Sequence, residues 1–248
     1  MIQCISKNVL ANIYAIDRTD DRYDFLEDKT ILEKNYRYSL LIKELLLKDL
    51  IFLQEIELFD IDKYKIDFPD HDIFSHIIEK KRTNIIGNLI LWKKNLFELI
   101  YTDKNSTGIF IVLKYNDNFI IFGNVHYHTG TCEKSYLNRY NQMKGSLKLL
   151  KKLSEKYKTN KILLVGDFND ELLEGTITNT IIKETNFNIS KIKETCHIYK
   201  NKIHKYMSLD KIISSEIKIK IQKIPENRPI PDILESSDHF SICFEIYE

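Results

Sequence analysis

IFIVLKYNDNFIIFGNVH, residues 109–126, holds two nearly unbroken apolar runs on either side of a short polar turn at Asp117-Asn118. Runs of this length rich in Ile, Val and Phe read as strands, and so short a turn joins them as an antiparallel hairpin. Apolar, β-branched clusters at 2–5, 50–53, 85–92, 161–165 and 242–246 read as further strands. Between them, residues 32–48 mix strong helix formers with one turn-spaced row of Tyr36, Leu40, Glu44 and Lys48 and a second of Leu41 and Leu45. Residues 134–157 read as a second helix whose stripe of Tyr136, Tyr140, Met143, Leu147, Leu150 and Tyr157 belongs in a core. Strands interleaved with helices indicate an α/β protein, and the hairpin indicates a mixed or antiparallel sheet flanked by helices.

The 248 residues, 43% of them hydrophobic, can build a substantial core, which excludes intrinsic disorder. Turn signals fall at 68–70 and 225–231, but no stretch has the composition of an interdomain linker, so residues 1–248 read as a single domain. With 37 Lys+Arg against 36 Asp+Glu, the net charge of +1 excludes a polycation or an acidic tail protein, and any polyanion must be held by a local patch. Cys4, Cys132, Cys196 and Cys243 lack CxxC spacing, which argues against a zinc or thioredoxin-like site and for a reducing compartment. No uncharged apolar run could span a bilayer, and the expectation is a soluble protein, cytoplasmic or nuclear, with no membrane partner.

Five polar clusters stand at the ends of the apolar runs: Asn8, Gln54-Glu55, Asn124-Val125-His126, Gly166-Asp167-Phe168-Asn169 and Ser237-Asp238-His239. Strand ends are where side chains leave a sheet and converge on a cleft. Each cluster alone has a plain structural explanation, since Asp-x-Asn recurs in turns and a strand-end Glu usually faces solvent. His71, His76, His197 and His204 read as ordinary exposed histidines, and His128 is undecided. Together, Glu55, Asp167, Asp238 and the Asn8 and Asn169 amides supply hard oxygen ligands that suit Mg²⁺, with Mn²⁺ as substitute, and leave His126 and His239 over for phosphate chemistry.

The ordered series NVL, LQE, NVH, GDFN, LDKI and SDHF, running from Asn8 to Phe240, resembles the endonuclease/exonuclease/phosphatase superfamily. NVLANIYA followed by NYRYSLLIKELLLKDLIFLQEIE is most similar to its nocturnin/angel-type deadenylase branch. The resemblance implies the DNase I-like fold, two packed, largely antiparallel β-sheets with outer helices. It also implies a Mg²⁺-dependent hydrolase in which Glu55 is the principal metal ligand, Asn8 stands close to the same metal or its water, and Asp238 serves the metal or its water shell. Asp167 and Asn169 resemble the pair that orients attacking water and scissile phosphate, with Asp167 accepting the water's proton directly or through metal-bound hydroxide. His239 resembles the phosphate-facing histidine with Asp210 as its partner, and His126 a second phosphate-binding histidine. Which histidine protonates the leaving group stays open. Asn124 and Lys211 are the expected substrate contacts, although Lys211 stands where the branch carries an aromatic residue. Arg139 and Gln142 read as a solvated helix face.

The substrate expected from this branch is single-stranded RNA, degraded from its 3′ end as by a poly(A) deadenylase. Lysines in 191–223, with Tyr199 and Tyr206 available for base stacking, are compatible with a backbone-reading nuclease. The same metal centre would also serve a 2′,5′-oligoadenylate or cyclic-phosphate phosphodiesterase, a DNA-repair nuclease, a tyrosyl-DNA phosphodiesterase or a phosphoinositide phosphatase. A catalytically silent RNA-binding module is the alternative outside enzymology, and the retained motif residues argue against it.

Overall fold

The computed structural model describes residues 1–16, 21–81, 84–173 and 176–247. In chain order these form strands β1 (Ile2–Asn8), β2 (Leu50–Glu57), β3 (His71–Lys81), β4 (Asn84–Lys93), β5 (Glu98–Asn105), β6 (Gly108–Tyr115), β7 (Asn118–His126), β8 (Ile162–Asp167), β9 (Asn188–Ile189), β10 (Cys196–Lys200), β11 (Ile203–Met207), β12 (Asp210–Ser215), β13 (Lys218–Ile221) and β14 (Ile242–Tyr247). The helices are α1 (Asn12–Ala15), α2 (Lys34–Leu45), α3 (Ile61–Asp67), α4 (Glu133–Tyr157) and α5 (Ile177–Lys183). One sheet has the order β13-β14-β1-β2-β4-β3 and the other β5-β6-β7-β8-β12-β9, while β10 and β11 pair as a separate ribbon. Among the described residues only the β1–β2 and β7–β8 pairings are parallel, so both sheets are mixed and mainly antiparallel.

The near-continuous apolar runs have a simple cause, which is that both faces of the central strands are buried. Along β6, Ile109, Ile111 and Leu113 enter the layer between the sheets, where Phe52, Trp92, Phe122, Leu163 and Phe244 join them. Phe110 and Val112 point the other way and meet Met143, Leu147 and Leu150 of α4. On the outside of the other sheet, Ile51 and Leu53 of β2 pack with Leu41 and Leu45 of α2 and with Tyr64 of α3. The sandwich with outer helices thus follows from period-two alternation between two apolar environments.

Both expected helices form, with adjusted faces. The first is shorter than 32–48; Arg37, Leu41 and Leu45 are its buried row, while Tyr36 turns outward. In α4 the stripe holds from Met143 onward, but the first turns bury Ser135 and Arg139 and leave Tyr136 53% exposed. The edge strands β3, β5 and β13 escape the apolar-run criterion because an edge strand with solvent beside it is rich in charged and polar residues. Among the described residues no helix is long and apolar enough to cross a membrane.

Candidate active site

Because β1 runs parallel to β2 and β7 parallel to β8, four carboxyl-terminal strand ends share one edge of the sandwich. β12 is antiparallel to β8 and β14 to β1, so their amino-terminal ends reach the same edge. Asn8 therefore ends β1, Glu55 lies near the end of β2, His126 ends β7, Asp167 ends β8, Asp210 opens β12, and Asp238-His239 precede β14. The register sets Asp167 between His126 and Asp210.

Backbone irregularities aim these side chains. The β2–β4 register shifts between Leu53 and Ile56, and Glu55 sits in this bulge at φ +59°. Such a conformation costs a non-glycine residue about 1–2 kcal/mol, and bulges of this kind turn a side chain off its strand face. At Gly166, φ is +138° and a Cβ would stand 2.0 Å from the Val125 carbonyl oxygen, so only glycine lets β8 approach β7 just ahead of Asp167. Asn169 takes φ +49°, which asparagine tolerates.

The Asn8 Nδ2 group donates to Glu55 Oε1 at 2.9 Å and to Asp167 Oδ2 at 3.0 Å. Its Oδ1 accepts from the Leu10 amide at 3.0 Å, which fixes the amide orientation, and the Ala11 amide holds Glu55 Oε2 at 3.0 Å. His126 Nε2 stands 3.7 Å from both Glu55 Oε1 and Asp167 Oδ2, and His239 Nε2 stands 3.8 Å from Asp167 Oδ2. The Asn169 amide donates to Asp167 Oδ1 at 2.8 Å, and its side chain donates to the Tyr127 carbonyl at 2.9 Å. Tyr23 donates its phenol to Asp238 Oδ2 at 3.0 Å.

His239 Nδ1 and Asp210 Oδ2 are 2.7 Å apart in a buried pair. Burial works against an imidazolium there, but the surrounding Cys196, Asp210 and Asp167 outweigh it and hold the His239 pKa well above the usual histidine range. Nε2 is thereby left as a charged donor toward Asp167 and the cleft. Asp167, Asp210 and His239 also bring one donor atom each within 4.8 Å of one another. The short His239–Asp210 bond turns two of those donors toward each other, so they make a poor metal set. The Glu55–Asp167 convergence fits better: Glu55 Oε1 and Asp167 Oδ2 meet on the one Asn8 Nδ2 group, and hard oxygen donors so placed match Mg²⁺ or Mn²⁺.

These groups line an open cleft of about 680 Å³, together with Tyr14, Arg22, Glu79, Ser106, His128, Gln142, Cys196, His197, Ile198 and Leu209. Glu55, His126, Asp167, Asn169, Asp238 and His239 thus meet in one place, with Asn8 and Asp210 immediately behind. Asn124 and Lys211 do not reach it. Asn124 is fully buried between the sheets, donating to the Leu53 and Leu89 carbonyls at 2.9 and 3.0 Å and accepting from Gln54 at 2.6 Å, so it locks the sheets together beneath the site. Lys211 shares the face of β12 that carries Ile213 toward the α4 core, and its ammonium donates to Ser208 at 2.5 Å; burial lowers its pKa.

Other expectations change as well. His71 and His197 are buried rather than exposed. Arg139 and Gln142 are no solvated face. Arg139 is 2% exposed and donates to the His128 and Gly130 carbonyls at 3.1 and 2.7 Å, with its Nε 3.6 Å from Asp170. It thereby braces the loops that follow His126 and Asp167. Gln142 accepts from the His128 amide at 2.9 Å and lines the cleft. Lys7, which the motifs do not single out, lies fully buried between Glu44, at 2.9 Å, and Glu235. Burial works against its charge, yet the two glutamates hold its pKa above the ordinary lysine value. Through Glu235 it ties the loop bearing Asp238 and His239 to the strand bearing Asn8. The sequence signal for Arg139 was its placement in line with Met143 on the helix, four residues apart.

A sequence profile of the Endonuclease/Exonuclease/phosphatase family matches residues 8–239. Comparison with curated protein sequences returns no match. The fold is similar to that of the human Nocturnin catalytic domain with bound sulfate, at 17% identity and TM-score 0.73, covering 99% of this chain and 94% of that one. It is similar to ANGEL2, described as a 2′,3′-cyclic phosphatase, at 14% identity and TM-score 0.78, covering 98% and 94%. Truncated Caenorhabditis elegans TDP2 shares it at 15% identity and TM-score 0.64, covering 100% and 98%.

Proposed function

The chain belongs to the Endonuclease/Exonuclease/phosphatase family and is a metal-dependent hydrolase of the phosphodiesterase and nuclease kind, and from that premise we propose that it cleaves RNA from the 3′ end, in the manner of a poly(A) deadenylase. The observation that carries this reading is the convergence of Glu55, Asn8 and Asp167 opposite two histidines, one of them held charged by its surroundings. Glu55 would hold Mg²⁺, with Mn²⁺ as substitute, Asn8 would orient Glu55 and Asp167 beside it through its Nδ2 group, and Asp238 would face its water shell. The bound cation would polarise phosphate oxygens and acidify water.

The remaining work falls to side chains. Asp167, oriented by the Asn8 side chain and the Asn169 amide, accepts the proton of the attacking water. Asn169 holds the phosphate and water in line. His239, its Nδ1 hydrogen fixed on Asp210, presents Nε2 to a phosphate oxygen, and His126 Nε2 stabilises charge on the opposite side.

The test is Mg²⁺-dependent degradation of 5′-labelled RNAs ending in poly(A), poly(U) or mixed sequence, beside matched DNA. A ladder shrinking from the 3′ end of poly(A) RNA, abolished by EDTA and by Glu55→Ala, is the expected result. A second reading, hydrolysis of a terminal 2′,3′-cyclic phosphate, is supported by the likeness to ANGEL2. RNA ending in that group, included in the same assay, separates the two.

A further inference from the structure

The β10–β11 ribbon belongs to neither sheet and is bolted to the site. Cys196 bridges to His239, the His197 amide donates to the Asp238 carbonyl at 2.9 Å, and the Phe240 amide donates to the Thr195 carbonyl at 2.7 Å. Its register, His197 opposite Tyr206 and Tyr199 opposite His204, puts four rings on one face. Phe25 packs against His197, Tyr199 and His204 with centroids 5.0, 5.4 and 5.6 Å away. Tyr199 is therefore committed to holding the ribbon against the 21–26 segment, and Tyr206 packs on His197 at 5.2 Å on the same face. The opposite face carries Cys196, Ile198 and Lys200, with Lys205 across from Ile198. Cys196, His197 and Ile198 all line the cleft, so the inner end of β10 forms part of its wall and the strand leads outward from it, with Lys200 and Lys205 on the side away from the rings.

Lys200 lies two residues beyond Ile198, roughly 7 Å farther out along the strand. Lys200, Lys202 in the turn and Lys205 are all exposed, and among the described residues no ion pair within 4 Å engages them. Three ammonium groups, against the one Asp21 carboxylate that accepts from the Asn201 amide in the same turn at 2.7 Å, lie along the ribbon where it leads away from the hydrolytic groups. A lysine is a point charge that recognises a phosphate without reading a base.

We propose that the side of this ribbon away from the rings, from Ile198 to Lys200, Lys202 and Lys205, is a binding site for the phosphate backbone of single-stranded nucleic acid extending beyond the scissile bond. The proposal rests on the phosphodiesterase reading and deepens it, because it makes the preferred substrate a polynucleotide rather than a small phosphoester. The lysines neutralise backbone charge and release counterions, and the ring face gives the ribbon the rigidity to keep them in line with the site.

The experiment compares the protein carrying Glu55→Gln with the same protein also carrying Lys200→Gln, Lys202→Gln and Lys205→Gln. Binding of a labelled twelve-nucleotide single strand is followed by anisotropy over a range of salt. Affinity should fall on the order of 10- to 100-fold near 0.1 M salt, and the log–log salt slope should shallow by about 2, since each phosphate neutralised on a single strand releases about 0.7 ion. With Glu55 intact, the ratio of kcat/KM on the twelve-mer to that on a dinucleotide should fall by a similar factor. Equal affinity and equal slope in the two proteins overturn the rail. A wild type that hydrolyses neither substrate overturns the phosphodiesterase reading, while the binding measurement still decides the rail.

Discussion

His239 and His197 stand on adjoining segments, joined where Cys196 bridges to His239, and both are nearly closed to solvent, at 6% and 2% exposure. Their partners differ. His239 meets the carboxylate of Asp210 at 2.7 Å, whereas His197 meets another imidazole, His204, at 2.9 Å. For His197, burial prevails and lowers the pKa against the hydrogen bond with the Ile230 carbonyl, with a lesser lowering from His204 and a lesser raising from Asp238. For His239, burial pulls the same way but loses to Cys196, Asp210 and Asp167. Neighbouring charge, not depth, decides which of two buried histidines has its pKa raised and which has it lowered.

The strongest way to break this contrast is Asp210→Asn, which keeps the shape of the partner and removes its charge. The expected kcat loss is roughly 10²- to 10⁴-fold. Since the proposed mechanism uses the charged form of His239, the alkaline limb of the pH–rate profile should also move to lower pH. An unmoved limb would show that Asp210 does not set the charge of His239.

Arg139 sharpens the contrast from another side. A histidine can answer burial by losing its proton, but arginine cannot, so a buried guanidinium must be satisfied by its partners. Arg139→Ala frees the His128 and Gly130 carbonyls and leaves the buried Asp170 without its cation. A loss of about 3 kcal/mol in urea unfolding is expected. A loss within experimental error would return Arg139 to the status of a solvated helix residue.

The smallest effect concerns pH and stability, where the two histidines have opposite signs. A histidine with a lowered folded pKa, as His197, contributes stability that is present above its unfolded value near 6.5 and lost as pH falls through the folded value. One with a raised pKa, as His239, contributes stability that is present below 6.5 and lost as pH rises through the folded value. His197→Phe should therefore flatten the acid side of a Tm-against-pH curve, by about 2–4 °C for each kcal/mol relieved. An unchanged acid side would mean that His197 is not held neutral.

Much of the fold was legible in the sequence because both faces of the central strands are buried, which turns 109–115, 119–125 and 50–53 into unmistakable apolar runs. Glu55, Asp167, Asp238 and His239 were legible because polar residues ending such runs stand out against them. Asn124 and Lys211 were misplaced for a related reason. Lys211 adjoins Asp210, and adjacent strand residues point to opposite faces, so it is directed away from the site; Asn124 shares the face of His126 but lies two residues back from the strand end, under the site and between the sheets. Arg139 and His197 were misjudged because a polar residue's burial depends on which loop or strand closes over it, and no local pattern encodes that.

The sequence by itself determined the family motifs, the sandwich of strands and outer helices, and the donor types available for a hard metal and a phosphate. Only the tertiary structure decided that Asn8 bridges Glu55 and Asp167, that Lys7 ties down the His239 loop through Glu235, and that the ring-bearing face of the ribbon turns toward Phe25. Residue type and periodicity are local quantities. Charge state, pairing and direction are set by neighbours far away in the chain, and these meet only when the sheets close on each other.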